Sequence, residues 1–368
     1  MKSSSISVSN AVVLTLREWL AAVLLSAAAI AVVYYGWGSW ERYEPGPDHR
    51  ETCWAELQSD YWAYMRWCKY ARDHYDILLM GDSVIWGQEV PNNETISHYL
   101  NEYIGREAVA NLGNDGLFMA GLSGIVRHYG DYLGDTNVII QCSPLWMASP
   151  RRDLHGEKKS QYHHPRLIPQ LDPRINYYHD LNTRLGYLSE HVFRVFPFVR
   201  HLMANYYDNT SISGWMMEHP YSDPFAAITF RSSPVMAEKQ GRGIDWEAKE
   251  MKMADEPFLD PAESIQFGLF LDAVEGLKKK NTRVFIMIGP YNQHYLVPES
   301  RERLFAMVEK IKAVFDERGY QYFDTFTVGL PSDTFGDSCH LLREGHDMLA
   351  KKMAADPAFR KWLDGIGK

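Results

Sequence analysis

The chain has 368 residues, of which 46% are hydrophobic and 23% charged. It is therefore long enough for one large domain or two ordinary ones, and too apolar for wholesale disorder. The formal net charge of −9 argues against nucleic acid as the main partner, because phosphate binding needs a basic surface. The 11 Trp and 22 Tyr residues suit either a packed core or a sugar-binding cleft.

An uncharged apolar stretch runs from Trp19 to Trp37. As a helix it would span roughly 28 Å, close to the thickness of the hydrocarbon layer of a bilayer. A cleaved signal peptide would have a shorter apolar region followed by small residues. Here bulky aromatic residues stand at the end of the stretch instead: Tyr34, Tyr35, Trp37 and Trp40. We therefore predict an uncleaved transmembrane anchor over 19–40.

The charges around this stretch predict its orientation. Lys2 and Arg17 precede it, whereas the following segment mixes both signs. The positive-inside rule then makes 1–18 a cytoplasmic tail and places the rest outside the cytoplasm, in the periplasm or at the cell surface. Residues 41–74 are predicted as a linker, through the turn-rich "EPGPDHR", and a helical lead-in.

From residue 75 to residue 368, short apolar runs alternate with segments of helical spacing. Five runs predict strands: "YDILLMGDS", "EAVANLG", "TNVIIQCSP", "TRVFIMIGP" and "YQYFDTF". Strands separated by helices imply a parallel sheet covered on both faces, so the predicted class is α/β. The interval from about 145 to 260 breaks this rhythm, and we interpret it as an insertion that caps the sheet.

Reactive side chains follow several predicted strands, at the sheet edge where open α/β sheets bind ligands. The tripeptide "GDS" at 81–83 follows the first strand, and Asp337 and His340 follow the last. A serine nucleophile needs a base within hydrogen-bond reach, and the base needs an orienting carboxylate. The three-residue spacing lets Asp337 hold one imidazole nitrogen while the other faces Ser83. Gly116, after the second strand, could offer an N–H to an oxyanion beside the N–H of Ser83.

Each of these features also has an ordinary explanation when it is taken alone. Asp82 suits the start of a helix, so we expect it to position the loop rather than react. His163 and His164 lack further ligand residues at metal-binding spacing, and we expect neither a metal nor a cofactor. The glycosylation sequon at 93–95 is interpreted as chance. The joint pattern of serine, glycine and Asp-x-x-His, in order at one sheet edge, favours catalysis.

These motifs resemble those of the SGNH, or GDSL-type, hydrolase superfamily over roughly 75–362. "GDS" matches the first block, "NLGNDG" the second and "DSCH" the fifth. The resemblance implies a three-layer, flavodoxin-like fold in which Ser83 is the nucleophile, His340 and Asp337 complete a triad, and Gly116 serves the oxyanion. One block departs from the pattern, because "VIIQCSPLWM" lacks the asparagine that normally donates to the oxyanion. Ser143 or Asn292 could replace it.

Three further stretches, "CSPLWM", "GPYNQHY" and "DSCHLLREGH", are similar to the DltD family of membrane-anchored SGNH-like proteins. More broadly, the chain resembles SGNH partners of membrane-bound O-acyltransferases. The resemblance implies a single N-terminal span, an extracytoplasmic domain, a polysaccharide or teichoic-acid-like acceptor and a membrane-bound O-acyltransferase as partner.

The expected function is therefore transfer of an O-acetyl or aminoacyl group onto a surface polysaccharide. Two alternatives stay open: an esterase that removes acyl groups from the same polymer, and a catalytically silent binding protein on this fold. The cysteines leave a further choice, because Cys53 with Cys68 and Cys142 with Cys339 could form disulfides or remain buried thiols.

Overall fold

The computed structural model describes residues 14–50, 60–156, 159, 163–231 and 252–366. These residues form two compact units. The smaller unit contains α1 (Leu16–Trp40) with residues 228–231, and the larger unit contains the sheet.

One parallel sheet forms the centre of the larger unit. Within the described residues it has five strands: β1 (Ile77–Met80), β2 (Val109–Asn111), β3 (Asn137–Cys142), β4 (Arg283–Ile288) and β5 (Gln321–Asp324). The order is β2-β1-β3-β4-β5 and every neighbouring pair is parallel. This is the flavodoxin-like order, so the predicted α/β class and all five predicted strands are confirmed.

Helices cover both faces of this sheet. Outside the insertion they are α2 (Tyr61–His74), α3 (Ser83–Trp86), α4 (Ile96–Ile104), α5 (Met119–Tyr129), α9 (Ile265–Lys278), α10 (Pro298–Glu317), α11 (Arg343–Ala355) and α12 (Pro357–Leu363). Helix α5 packs against α9, and α4 packs against α11. Every residue of β1 and β2 is buried, and since successive strand residues point to opposite faces, neither face is open to water.

The long insertion contributes α6 (Leu181–Val192), α7 (Val195–Tyr206) and α8 (Ile212–Glu218). The first part of the insertion is held against the start of α9 by Asp153, which is fully buried. The Asp153 carboxylate accepts hydrogen bonds from the N–H groups of Ile265 at 2.9 Å and Gln266 at 3.1 Å, and so caps the start of α9.

Helix α1 has the length and composition of a membrane span. Its most apolar window has a mean hydropathy of 1.9 and none of that window is buried. The helix begins with a capping box, in which Thr15 and Glu18 bond each other's backbone N–H groups. An N-terminal helix of this kind serves either as a membrane anchor or as a signal sequence.

The turn-rich segment before α2 packs into the larger unit, of which it is a part. Asp48 is buried, and its carboxylate accepts hydrogen bonds from the Ser97 hydroxyl at 2.7 Å and the Asn93 N–H at 2.8 Å. Arg50 is also buried, and its guanidinium donates to the carbonyls of Gly87 at 2.7 Å and Trp86 at 3.1 Å. Residues near 48–50 therefore brace the end of α3 rather than connecting two parts loosely.

The cysteines divide between described and undescribed residues. Cys142 and Cys339 are buried free thiols, so no disulfide joins the end of β3 to the loop before α11. Cys53 lies outside the described residues, and its pairing with Cys68 stays a hypothesis.

Arg50→Ala should destabilise the protein because it leaves buried carbonyl groups without donors. We expect a loss of about 3 kcal/mol in the free energy of unfolding, measured by denaturant titration. Arg106→Ala is the matched control, since Arg106 pairs with Asp76 on the surface and should cost less than about 1 kcal/mol. Equal losses in the two variants would contradict the bracing role of Arg50.

Candidate active site

The turn after β1 is built so that Ser83 begins a helix at the sheet edge. A Cβ at Gly81 would collide with the Gln141 side chain, so the close approach of β3 requires glycine there. The Asp82 N–H donates to Gln141 Oε1 at 2.9 Å, and Asp82 Oδ1 accepts from the Val84 N–H at 3.0 Å. Asp82 is thus the N-cap of α3, and it positions the serine from both sides.

Ser83, His340 and Asp337 form a continuous hydrogen-bonded chain. Ser83 Oγ lies 2.6 Å from His340 Nε2, and His340 Nδ1 lies 2.6 Å from Asp337 Oδ2. Asp337 Oδ1 accepts the N–H groups of Cys339 and His340, each at 2.9 Å. Since an ionised carboxylate only accepts, Nδ1 carries the imidazole proton and Nε2 is left to accept the proton of Ser83. The structure therefore brings the three predicted residues together in the predicted order.

The charges around Ser83, His340 and Asp337 suit a base that is held by an anion. Burial acts to lower the pKa of His340, but the neighbouring Cys339 and Asp337 side chains raise it well above its ordinary value. Burial also raises the pKa of the Cys339 thiol, which is therefore neutral, and this leaves Asp337 as the effective cause. Burial opposes ionisation of Asp337, yet the hydrogen bonds from His340 and from backbone N–H groups lower its pKa to about 2.

Three further carboxyl groups interact electrostatically with the imidazole of His340. Burial raises the pKa of Asp82, of Glu89 and of Asp115, and in each case the positive charge of His340 opposes the rise. Each of these groups, when ionised, attracts the imidazolium that forms when the base takes a proton. Glu89 stands outside every recognisable motif, and Asp115 lies inside "NLGNDG" without a role that the motif predicts.

The loop that contains Gly116 is held by the histidine pair of the insertion. His164 is buried, and burial lowers its pKa to about 4, so its ring is neutral. His164 Nε2 lies 2.7 Å from the Asp115 carbonyl and Nδ1 lies 3.1 Å from the Tyr61 hydroxyl. Because a carbonyl only accepts, Nε2 donates to Asp115 and Nδ1 accepts from Tyr61.

Gly116 itself needs the freedom of glycine. Its φ is +68°, and a Cβ there would lie 2.8 Å from the His163 ring. Burial raises the pKa of Asp115, and the N–H of Gly116 acts against this rise. His163 and His164 therefore shape and hold the predicted oxyanion loop, a role that spacing along the chain does not reveal.

The two residues predicted as substitutes for the missing asparagine lie in different surroundings. Ser143 is buried directly after β3, and its Oγ has no hydrogen-bond partner among the described residues. Asn292 is fully buried, and its Nδ2 donates to the Asp337 carbonyl at 3.0 Å. The Asn292 N–H donates to the Ser338 carbonyl at 2.9 Å, so these contacts of Asn292 brace the loop of the base.

Asp337, Cys339 and His340 also offer ligand atoms within 4.8 Å of one another, the spacing of a metal cluster. Both nitrogens of the His340 ring are already hydrogen-bonded, to Ser83 and to Asp337. A metal ion would have to break this hydrogen-bonded chain to bind there, so the geometry fits proton transfer better than coordination.

Comparisons with known proteins assign no family to this chain. No family model matches it, and no curated protein matches it. Among solved structures it is similar to a member of the lipolytic protein G-D-S-L family from Veillonella parvula DSM 2008, with 11% identity over 76% of this chain and 96% of the other and a TM-score of 0.40. It is also similar to a carbohydrate acetylesterase family member from Sinorhizobium meliloti, with 13% identity over 78% of this chain and 99% of the other and a TM-score of 0.33. A third similar structure is an aryl esterase from M. smegmatis, with 12% identity over 76% of this chain and 97% of the other and a TM-score of 0.32.

The rate at which this site hydrolyses an aryl acetate should rise with pH. The base must be neutral to accept a proton, and Asp337 raises the pKa of His340, so the inflection should lie above about 6.5, the ordinary pKa of histidine. Asp337→Asn should move the inflection downward and lower the rate by about 10³–10⁴-fold.

Glu89→Gln is the matched control for this pH profile. It removes another carboxylate near His340 without removing a hydrogen bond to the ring. The inflection should therefore shift downward by less than in Asp337→Asn, and the rate should stay near the wild-type rate. A profile that is identical in the wild type and in Asp337→Asn would show that Asp337 does not govern the base.

Tyr61→Phe tests the clamp on the oxyanion loop. Loss of the Tyr61 hydroxyl frees His164 Nδ1, and the resulting looseness near Gly116 should lower kcat for the same ester by about tenfold, within the cost of an oxyanion donor. The pH inflection should not move, because the triad is untouched. Tyr322→Phe, which removes a surface hydroxyl bound to Asp316 at 3.1 Å, should leave kcat unchanged. Equal kcat values in both variants would contradict the clamp.

Proposed function

We propose that this chain is a serine acyl-ester enzyme of the SGNH type that transfers an acyl group to a hydroxyl of an extracytoplasmic polysaccharide. The observation that carries the proposal is the pair of 2.6 Å contacts that link Ser83 to His340 and His340 to Asp337. A serine hydroxyl, a correctly protonated imidazole and an ionised carboxylate in this order are the parts of an activated nucleophile.

The reaction proceeds in two halves through an acyl-serine. His340 Nε2 takes the proton of Ser83 as Oγ attacks the carbonyl carbon of an acyl ester or thioester. The oxyanion meets the N–H groups of Ser83 and Gly116, and its collapse breaks the bond to the leaving group, which takes the proton from His340. The acceptor hydroxyl then gives its proton to His340 and attacks the acyl-serine, and the bond to Ser83 breaks as Ser83 Oγ takes that proton back from His340.

One feature of the surroundings favours transfer over hydrolysis. Ser83 is only 5% exposed, which limits the access of water to the acyl-serine. We propose that the acyl donor is supplied by a membrane-bound O-acyltransferase and that α1 anchors the enzyme beside this partner, with the larger unit outside the cytoplasm.

Hydrolysis of acyl esters on the same polymer is the second candidate function. The loop of the base is not sealed, because the side chain of Asp337 is 46% exposed and that of His340 is 12% exposed. Water that reaches His340 could replace the sugar hydroxyl in the second half of the reaction without any change of residues.

Competition between water and a glycan acceptor distinguishes the two functions. The full-length protein in nanodiscs would receive an aryl acetate as donor, with and without a mixture of cell-surface oligosaccharides, and mass spectrometry would measure acetylated oligosaccharide against free acetate. Transfer predicts that acetylated product rises and free acetate falls as acceptor increases, and that Ser83→Ala abolishes both. Free acetate alone at saturating acceptor would establish the esterase instead, and absence of turnover and of acyl-Ser83 would establish a silent binding protein.

A further inference from the structure

Four large apolar side chains are exposed within ten residues of the insertion. Met216 is 48% exposed, Met217 82%, Phe225 80% and Tyr221 fully. We call these four residues the apolar apron. Single exposed hydrophobic residues are common on soluble proteins, but a cluster of this density on the surface indicates an interaction site.

The backbone under the apolar apron is well held, so the exposure is a property of an ordered surface. Trp215 is buried, and its Nε1 donates to Asp208 Oδ2 at 3.0 Å. The Tyr207 ring packs edge-on against Trp215, and the Tyr207 hydroxyl donates to the Pro224 carbonyl at 3.0 Å. The chain on both sides of the apron is thus tied to one local core.

The chain that leaves the apolar apron enters the smaller unit within five residues. Within the smaller unit, the Phe230 ring lies 5.2 Å from the Trp37 ring, and the Arg42 N–H donates to the Phe230 carbonyl at 3.0 Å. Phe225 precedes Phe230 by five residues, so it cannot be farther from Phe230 than about 18 Å. Trp37 belongs to the aromatic group at the end of the apolar stretch, the place where aromatic side chains meet the lipid headgroups.

We propose that the apolar apron inserts into the interfacial layer of the bilayer, as a second membrane contact in addition to α1. The inference rests on the proposal that α1 spans the membrane. The segment 216–225 contains no Lys or Arg, and Glu218 and Asp223 lie within it. The contact is therefore apolar insertion, not attraction to anionic headgroups, and it should be indifferent to salt and to lipid charge.

Photolabelling from the lipid side tests this contact on the full-length protein. Nanodiscs of phosphatidylcholine would carry a phosphatidylcholine with a diazirine in its acyl chain, and adducts would be mapped by mass spectrometry. We expect adducts in α1 and in 216–225, at equal yield at low and high ionic strength. Tyr103 and Phe305, which are exposed elsewhere on the larger unit, serve as internal controls and should stay unlabelled. Met217→Ser with Phe225→Ser should lower the yield in 216–225 several-fold and leave α1 unchanged.

The failures of the two proposals are distinguishable. Adducts in α1 without adducts in 216–225 would overturn the apron alone. No adduct in α1 would overturn the anchor, and with it the inference that rests on it. Labelling of 216–225 that requires anionic lipid would contradict apolar insertion. Crosslinks from the apron to a protein in native membranes, in place of lipid, would show that the surface binds a protein.

Discussion

The hydrogen bond between Ser83 and His340 is the contact on which the rest of the site depends. It joins residues 257 positions apart, across nearly the whole of the larger unit. Only a parallel sheet with its crossover helices brings the carboxyl ends of β1 and β5 to one edge, and the loops that follow them supply the two residues. The fold therefore acts chiefly as a frame that places a nucleophile against its base.

A set of buried polar side chains fixes the positions of the loops that contain the site residues. Gln141 fixes the turn of Ser83 from β3, Asn292 fixes the loop of Asp337 from beyond β4, and Arg50 braces the end of α3. Each contributes hydrogen bonds to backbone groups that would otherwise be buried without partners, so each couples stability to geometry. The clamp from Tyr61 through His164 does the same for the loop of Gly116.

The sequence allowed prediction of the sheet because its strands are short apolar runs buried on both faces. Ser83, Asp337 and His340 could be predicted together because the chain reaches each of them after leaving the carboxyl end of a strand: Ser83 lies three residues after β1, and Asp337 and His340 lie between β5 and α11. Residues such as Glu89 and His164 could not, because they reach the site from elements whose packing is a tertiary property. The segment at 48–50 looked like a linker for the same reason, as its prolines and glycine indicate turns but not the burial of Arg50.

Labelling of the full-length protein with a serine-directed fluorophosphonate tests the central claim most directly. The account predicts one adduct, on Ser83, that forms faster as pH rises and disappears in His340→Ala while the protein stays folded. An adduct that forms at an equal rate in His340→Ala, or none on folded protein in its native membrane, would contradict an activated serine.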